Sequence, residues 1–213
     1  GSEGDDQILG SAGNDTLSGD RPDDAHPQGN SLPGSLHGND YVDGGTGDDS
    51  LLGNGGDDEI IGGEGDDKLL GDDASTPGQF HGKDYLTGGA GNDTIVGNGN
   101  DDEILGGDGD DHLEGDDGRL DSEYHGNDTL VGGTGKDGLI GGGMDDVLYG
   151  GEGDDILKGD NGDAKTLPEE AMGDDVLYGD EGRDDLAGGG GNDTLYGGED
   201  DDFIDGGNGK DVL

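Results

Sequence analysis

A nine-residue phrase recurs along the whole chain, clearest in Gly62-Gly63-Glu64-Gly65-Asp66-Asp67-Lys68-Leu69-Leu70. Once four insertions are set aside it keeps one register from Gly1 to Leu213, as 19 units. Position one is Gly and position six is Asp in all 19, and position eight is always Ile, Leu or Val. A unit this short cannot bury its own apolar residue, so neighbouring units must stack on one another. Positions one to six, rich in Gly and Asp, suit a turn. Positions seven to nine, such as Thr94-Ile95-Val96, suit a short strand. Alternation along that strand sends position eight inward. Two units then complete one coil, and Ile8, Leu17, Val42, Leu51, Ile60 and their successors line a thin interior between two parallel sheets. About nine layers at ~4.8 Å make a rod roughly 45 Å long.

Composition adds a second requirement. The 213 residues include 55 Gly and 56 acidic against nine basic residues, only 24% are hydrophobic, and the formal charge is -47. Such a chain repels itself when compact, and its few apolar residues cannot offset chain entropy. A cation is therefore expected as part of the fold. A phosphate backbone would be repelled, which excludes nucleic acid as a partner. With no Cys, neither disulfides nor thiolates are available, and oxygen must supply the ligands. No apolar run approaches the roughly 20 residues needed to cross a bilayer, and nothing resembles a signal peptide. Because the chain starts and stops inside the repeat, it is expected to be a piece of a longer protein. The repeat already assigns nearly every Asp, leaving no catalytic constellation, so the segment is expected to be nonenzymatic. EF-hand loops and the collagen period are both absent.

The insertions are regularly placed. They run over 21–37, 73–81, 117–125 and 161–172, near position three of units 3, 7, 11 and 15, within a single module spanning 1–213. All five prolines (Pro22, Pro27, Pro33, Pro77, Pro168) lie in them, as an unbroken ladder requires. Asp20, Asp72, Asp116 and Asp160 stand at the loop mouths, where they are read mainly as solvated turn formers and secondarily as replacement metal ligands. Three loops close on Leu36-His37, Phe80-His81 and Tyr124-His125, and the fourth on Ala171-Met172. The three His would lie ~10 Å apart, too far to share an ion, so a loop-closing role is expected of them. His26 and His112 show no partner pattern. At position four, Asn100, Met144 and Asp200 replace Gly where the backbone favours Gly. Val131, Tyr149, Tyr178 and Tyr196 follow one another at position nine of the odd units, beside Val147 and Val176, as an outward stripe.

The pattern Gly-Gly-x-Gly-x-Asp-x-aliphatic-x resembles the RTX (repeats-in-toxin) family, whose haemolysin-type nonapeptide repeat binds calcium. The resemblance covers the whole chain. It implies an all-β, right-handed parallel β-roll with two repeats per coil, here with four loops on one edge, and Ca²⁺ held between successive coils by position-six Asp and turn carbonyls. Gly-rich turns can aim carbonyls inward, which suits a hard cation wanting six to eight oxygens. If unit n stacks on n+2, Asp15, Asp49, Asp67, Asp93, Asp111, Asp137, Asp155, Asp184 and Asp202 form one column. Asp6, Asp40, Asp58, Asp84, Asp102, Asp128, Asp146, Asp175, Asp193 and Asp211 form the other. The loops fall on the second, odd column, so the even column is expected to be the more regular. One ion per gap gives a ceiling of about 17 Ca²⁺, which would bring the formal charge to roughly -13.

Folding is then expected to be coupled to metal, with a disordered ion-free form. The family resemblance further implies secretion through a type I channel, an extracellular or cell-surface location, and attachment to the remaining domains of a parent polypeptide. Two alternatives stay open. One is an adhesin-type module binding a glycan or surface partner through the loops or the tyrosine stripe. The other is an accessory module of a secreted protease, lipase or epimerase.

Overall fold

The computed structural model describes residues 6–19, 37–73, 76–117, 122–160 and 172–213. Among these residues there is no α-helix. The nonapeptides form two nine-stranded parallel sheets. Odd units build the first sheet, from Gln7–Ala12 to Thr194–Glu199, and even units the second, from Thr16–Ser18 to Phe203–Asn208. Each strand pairs in register with the strand two units away, Ile60 opposite Leu86 and Leu113 opposite Leu139, for example. This is the parallel β-roll expected from the period, with two units to a coil.

Position eight makes the core. Fifteen of these side chains, Val42 to Leu195, are 0–1% exposed, and Ile8, Leu17 and Ile204 are partly buried against them near the ends. Burying one such side chain is worth ~1.5–3 kcal/mol, while ordering one residue's backbone costs ~1–2 kcal/mol. With one core residue per nine, burial falls well short of the ordering cost.

Five strands of the second sheet have the three residues expected, Thr94–Val96 among them, but the others are longer. Those of the first sheet run six residues, as in Tyr41–Thr46, continuing through the next unit's opening glycines. The paired register passes over position one, so Leu9 pairs with Asp43 and Ser11 with Gly45 while Gly10 and Gly44 are left out. Position two returns to the ladder with a left-handed backbone (Gly45 φ 104°, Gly63 φ 118°), a conformation glycine accepts without a Cβ clash. All four insertions lie on connections from the second sheet to the first, hence on one edge. The described parts of two of them contain single 3₁₀ turns, Gly78–Phe80 and Ser122–Tyr124.

Candidate cation sites along the two edges

The turns are bonded coil to coil without a gap. The position-four N–H donates to the position-three carbonyl of the next coil, as from Gly47 to Glu64 at 2.7 Å. The position-seven N–H donates to the position-six carbonyl of the coil before, as from Lys68 to Asp49 at 2.9 Å. Between them lies a ladder made by side chains. The Asp40 N–H donates to Asp58 Oδ1 at 2.7 Å and the Asp49 N–H to Asp67 Oδ1 at 2.7 Å. The pattern repeats from Asp6 to Asp211 on one edge and from Asp15 to Asp202 on the other. All 19 position-six Asp therefore stand in the two columns that the register required. The loops do not break the odd one: Asp58 to Asp84, Asp102 to Asp128 and Asp146 to Asp175 are linked at 2.8–2.9 Å across loop-bearing coils. The carboxylate ladder is thus as regular on the odd edge as on the even one, because the insertions leave before position four and rejoin without shifting the Asp.

From Asp40 and Asp49 onward each carboxylate thus has Oδ1 tied to backbone, and the other oxygen is the notable one. Oδ2 of Asp15, Asp49, Asp67, Asp84, Asp93, Asp102, Asp111, Asp128, Asp137, Asp146, Asp155, Asp175, Asp184 and Asp193 is closed to solvent with no hydrogen-bond partner. It sits over the opening glycine of its own unit. A Cβ on Gly44 would collide with Asp49 Oδ2 and lie 2.7 Å from the Gly62 carbonyl oxygen, and one on Gly97 would collide with Asp102 Oδ2. Position one is invariant because a methyl would fill the space between carboxylate and carbonyl. Leaving an ionised oxygen buried and unbonded costs several kcal/mol per group unless a cation balances it.

The electrostatics agree. Burial, the largest cause, pushes Asp93 and Asp155 up to about 6 and Asp137 to about 7 on the even edge. On the odd edge it pushes Asp84 and Asp128 to about 7 and Asp175 to about 8, and holds Asp102 and Asp146 well above the carboxylate range. Both columns are surface-closed, at 0–4% exposure in the interior coils, and the middle of the odd one, Asp84 to Asp146, lies furthest from solvent. The donor set fits a hard cation: one carboxylate oxygen without a donor, glycine carbonyls, and no nitrogen or sulfur. Among the described residues no three His, Asp or Glu side chains converge, so backbone oxygens must complete any coordination shell.

The loop mouths differ from their expected state. Asp72 and Asp116 are 0% exposed and Asp160 is 7% exposed, so they are not solvated turn formers. Oδ2 of each accepts a backbone N–H, from Gly82 at 3.0 Å, Gly126 at 3.1 Å and Gly190 at 2.7 Å. Asp20 lies outside the described residues, as do Leu36 and His26. His81 and His125 are buried, and His81 Nε2 bonds the Thr76 carbonyl of its own loop at 3.0 Å, which fits a loop-closing role. Phe80 stacks on His37 with centroids 5.5 Å apart, and the Tyr124 ring lies against Gly78, so successive loops touch across the coil between them. Asn100, Met144 and Asp200 all adopt left-handed backbone (φ 70°, 76° and 77°), as the replaced glycines implied.

Two further features escaped the sequence reading. Position three is exposed on the even edge (Thr46, Glu64, Asp108, Glu152) but buried glycine in the odd units that follow a loop-bearing coil (Gly55, Gly99, Gly143, Gly190). A Cβ on Gly55 would lie 2.8 Å from His37 Nδ1, on Gly99 2.8 Å from His81 Nδ1, and on Gly190 2.5 Å from Met172 Sδ. The residue closing each of these loops fills a notch in the next coil, so loops can recur only every second coil. The signal was the alternation of His or Met with Gly at that position. Position five forms an exposed counterpart of the Asp ladder: the Asp110 N–H donates to Asn92 Oδ1 at 2.7 Å and the Asp145 N–H to Asn127 Oδ1 at 3.0 Å.

Two columns of enclosed carboxylate oxygens, spaced by a hydrogen-bonded coil and floored by glycine, define a calcium-binding repeat solenoid. The chain belongs to the RTX calcium-binding nonapeptide repeat family, which matches it over residues 1–24, 38–69, 82–113, 126–157, 140–163, 173–195 and 178–213. No curated protein matches the chain.

Proposed function

We propose that this segment is a calcium-triggered folding module of a longer secreted protein, with one Ca²⁺ seated in each gap between neighbouring position-six Asp. The observation that carries it is the row of enclosed, unbonded Oδ2 atoms facing glycine carbonyls. In a calcium-poor cytosol the ionised columns keep the chain open; in millimolar external calcium the ions supply the missing charge and the rod closes. This is a compartment switch suited to export as an unfolded chain, and the module does no chemistry itself. Circular dichroism across a Ca²⁺ titration, with calorimetric counting of ions, tests it. Cooperative gain of β structure with up to about 17 ions bound is expected, and a chain fully β-structured in chelator would overturn it.

The recognition alternative gains little from the tyrosines. Tyr149, Tyr178 and Tyr196 stack with centroids 4.9 and 5.0 Å apart and planes within 4° and 9°, so their faces cover one another instead of meeting a sugar. They serve the ladder, as cross-strand aromatic pairs do.

A further inference from the structure

Position two differs between the edges: on the odd edge even the left-handed Asn54 and Asn98 of uninterrupted units are buried. In uninterrupted unit 16 it is Asp180, exposed and left-handed at φ 73°. In loop-bearing units it is Asp72, Asp116 or Asp160, outside the left-handed set and buried. All three have Oδ2 tied to a backbone N–H, and in Asp72 and Asp160 Oδ1 is enclosed with no hydrogen-bond partner, which reproduces the position-six arrangement. Each also follows the glycine that floors a calcium cradle. Gly71, Gly115 and Gly159 are where a Cβ would strike Oδ2 of Asp84, Asp128 and Asp175. The pairing is electrostatic too: Asp84 and Asp128 are the foremost charged neighbours of Asp72 and Asp116, and Asp160 that of Asp175. Among the described residues no cation answers Asp72. The charges acting on Asp72 are all acidic, and His81, its Nδ1 3.8 Å from Asp72 Oδ2, is held toward its neutral form by burial.

Resting on the calcium reading above, we propose that Asp72, Asp116 and Asp160 each add a second carboxylate to the calcium site of their own coil, making these three the tightest sites in the rod. Calcium affinity rises with the number of charged ligands, so a two-carboxylate site fills at lower calcium than its one-carboxylate neighbours. On the odd edge the side chain at position two is enclosed whether or not a loop follows, as Asn54 and Asn98 are, and in the loop-bearing coils that side chain is a carboxylate.

The test is the calcium midpoint of folding in an Asp72→Asn, Asp116→Asn, Asp160→Asn variant, by circular dichroism and calorimetry, with Asp180→Asn as control. Asn keeps an acceptor for the Gly N–H while removing a buried charge. A merely structural Asp therefore predicts an unchanged or lower midpoint, whereas a ligand predicts about a tenfold higher one with the tightest calorimetric phase lost. A coincident or lower midpoint overturns the proposal. If the triple variant stays unfolded at saturating calcium, Asp160→Asn alone, at the most accessible of the three positions, decides by the same sign. Wild type showing no calcium dependence would sink the calcium reading and this one together; wild type responding with variant coincident sinks this one alone.

Discussion

The two edges of the rod are built from one phrase yet differ in depth. On the even edge the turn ends in exposed side chains such as Glu64 and Glu152, and burial raises Asp93 and Asp155 to about 6 and Asp137 to about 7. On the odd edge the closing residues His37, His81 and Met172 lie against the turn of the next coil, position three there is buried glycine, and Asp175 rises to about 8. The same ligand geometry thus stands in two dielectric settings. Insertions that leave the carboxylate ladder intact still change how strongly each rung needs a counter-ion.

The largest expected effect is on pH. The shifted Asp have folded values above their ordinary 3.8, so in the ion-free fold they contribute stability that is fully present below that value. This stability is lost as pH rises through about 6 to 8. In chelator, acidification from pH 8 to 4 should therefore raise the β signal in circular dichroism. Carboxyl NMR in the acid-folded form should find Asp175, Asp84 and Asp128 holding their protons to higher pH than Asp93 and Asp155. A β signal that falls on acidification, or one common titration for both edges, would break the contrast.

Next in size is removal of one rung. With calcium bound, Asp102→Ala strands an ion in the deeper column and should cost ~3–5 kcal/mol and one Ca²⁺. Asp111→Ala on the shallower edge should cost the ion but less stability. Urea unfolding in saturating calcium with equilibrium dialysis measures both, and equal costs would show that loop cover does not matter. A smaller effect belongs to the notch. Gly99→Ala would place a Cβ 2.7 Å from the Tyr124 carbonyl oxygen and 2.8 Å from His81 Nδ1, an overpacking worth ~1–3 kcal/mol. Glu64→Ala, at position three of the other edge, meets solvent and should leave the melting temperature unchanged.

Much of this was legible in the chain because the fold is a translation. A strict period with Gly, Asp and an aliphatic at fixed offsets determines register, core and carboxylate columns together, and Leu113 over Leu139 or Asp58 over Asp84 follows from counting. What counting misses is the contact between unlike units. Asp72 reads as polar and turn-prone, hence solvated, until the loop is seen to close over it. Likewise Gly55 and Gly99 read as two more glycines, although each is required by the imidazole of a preceding loop. Strand length in the first sheet was underestimated for a related reason: left-handed glycines still pair, which propensity at the single-residue level does not foresee.

The smallest expected effect is also the one on which the edges should agree. At position five the ladder is exposed on both sides: Asn92 accepts from Asp110 on the even edge at 2.7 Å, and Asn127 from Asp145 on the odd edge at 3.0 Å. Asn92→Ala and Asn127→Ala each remove one hydrogen bond in contact with water, for a net loss of ~0.5–1 kcal/mol. Because the loops cover the inside of the odd turn and leave its rim open, the two losses should match in calcium-loaded thermal unfolding. A clearly larger loss at Asn127 would extend the effect of the loops to the rim, and the contrast between the edges would then concern the whole turn and not only its carboxylate floor.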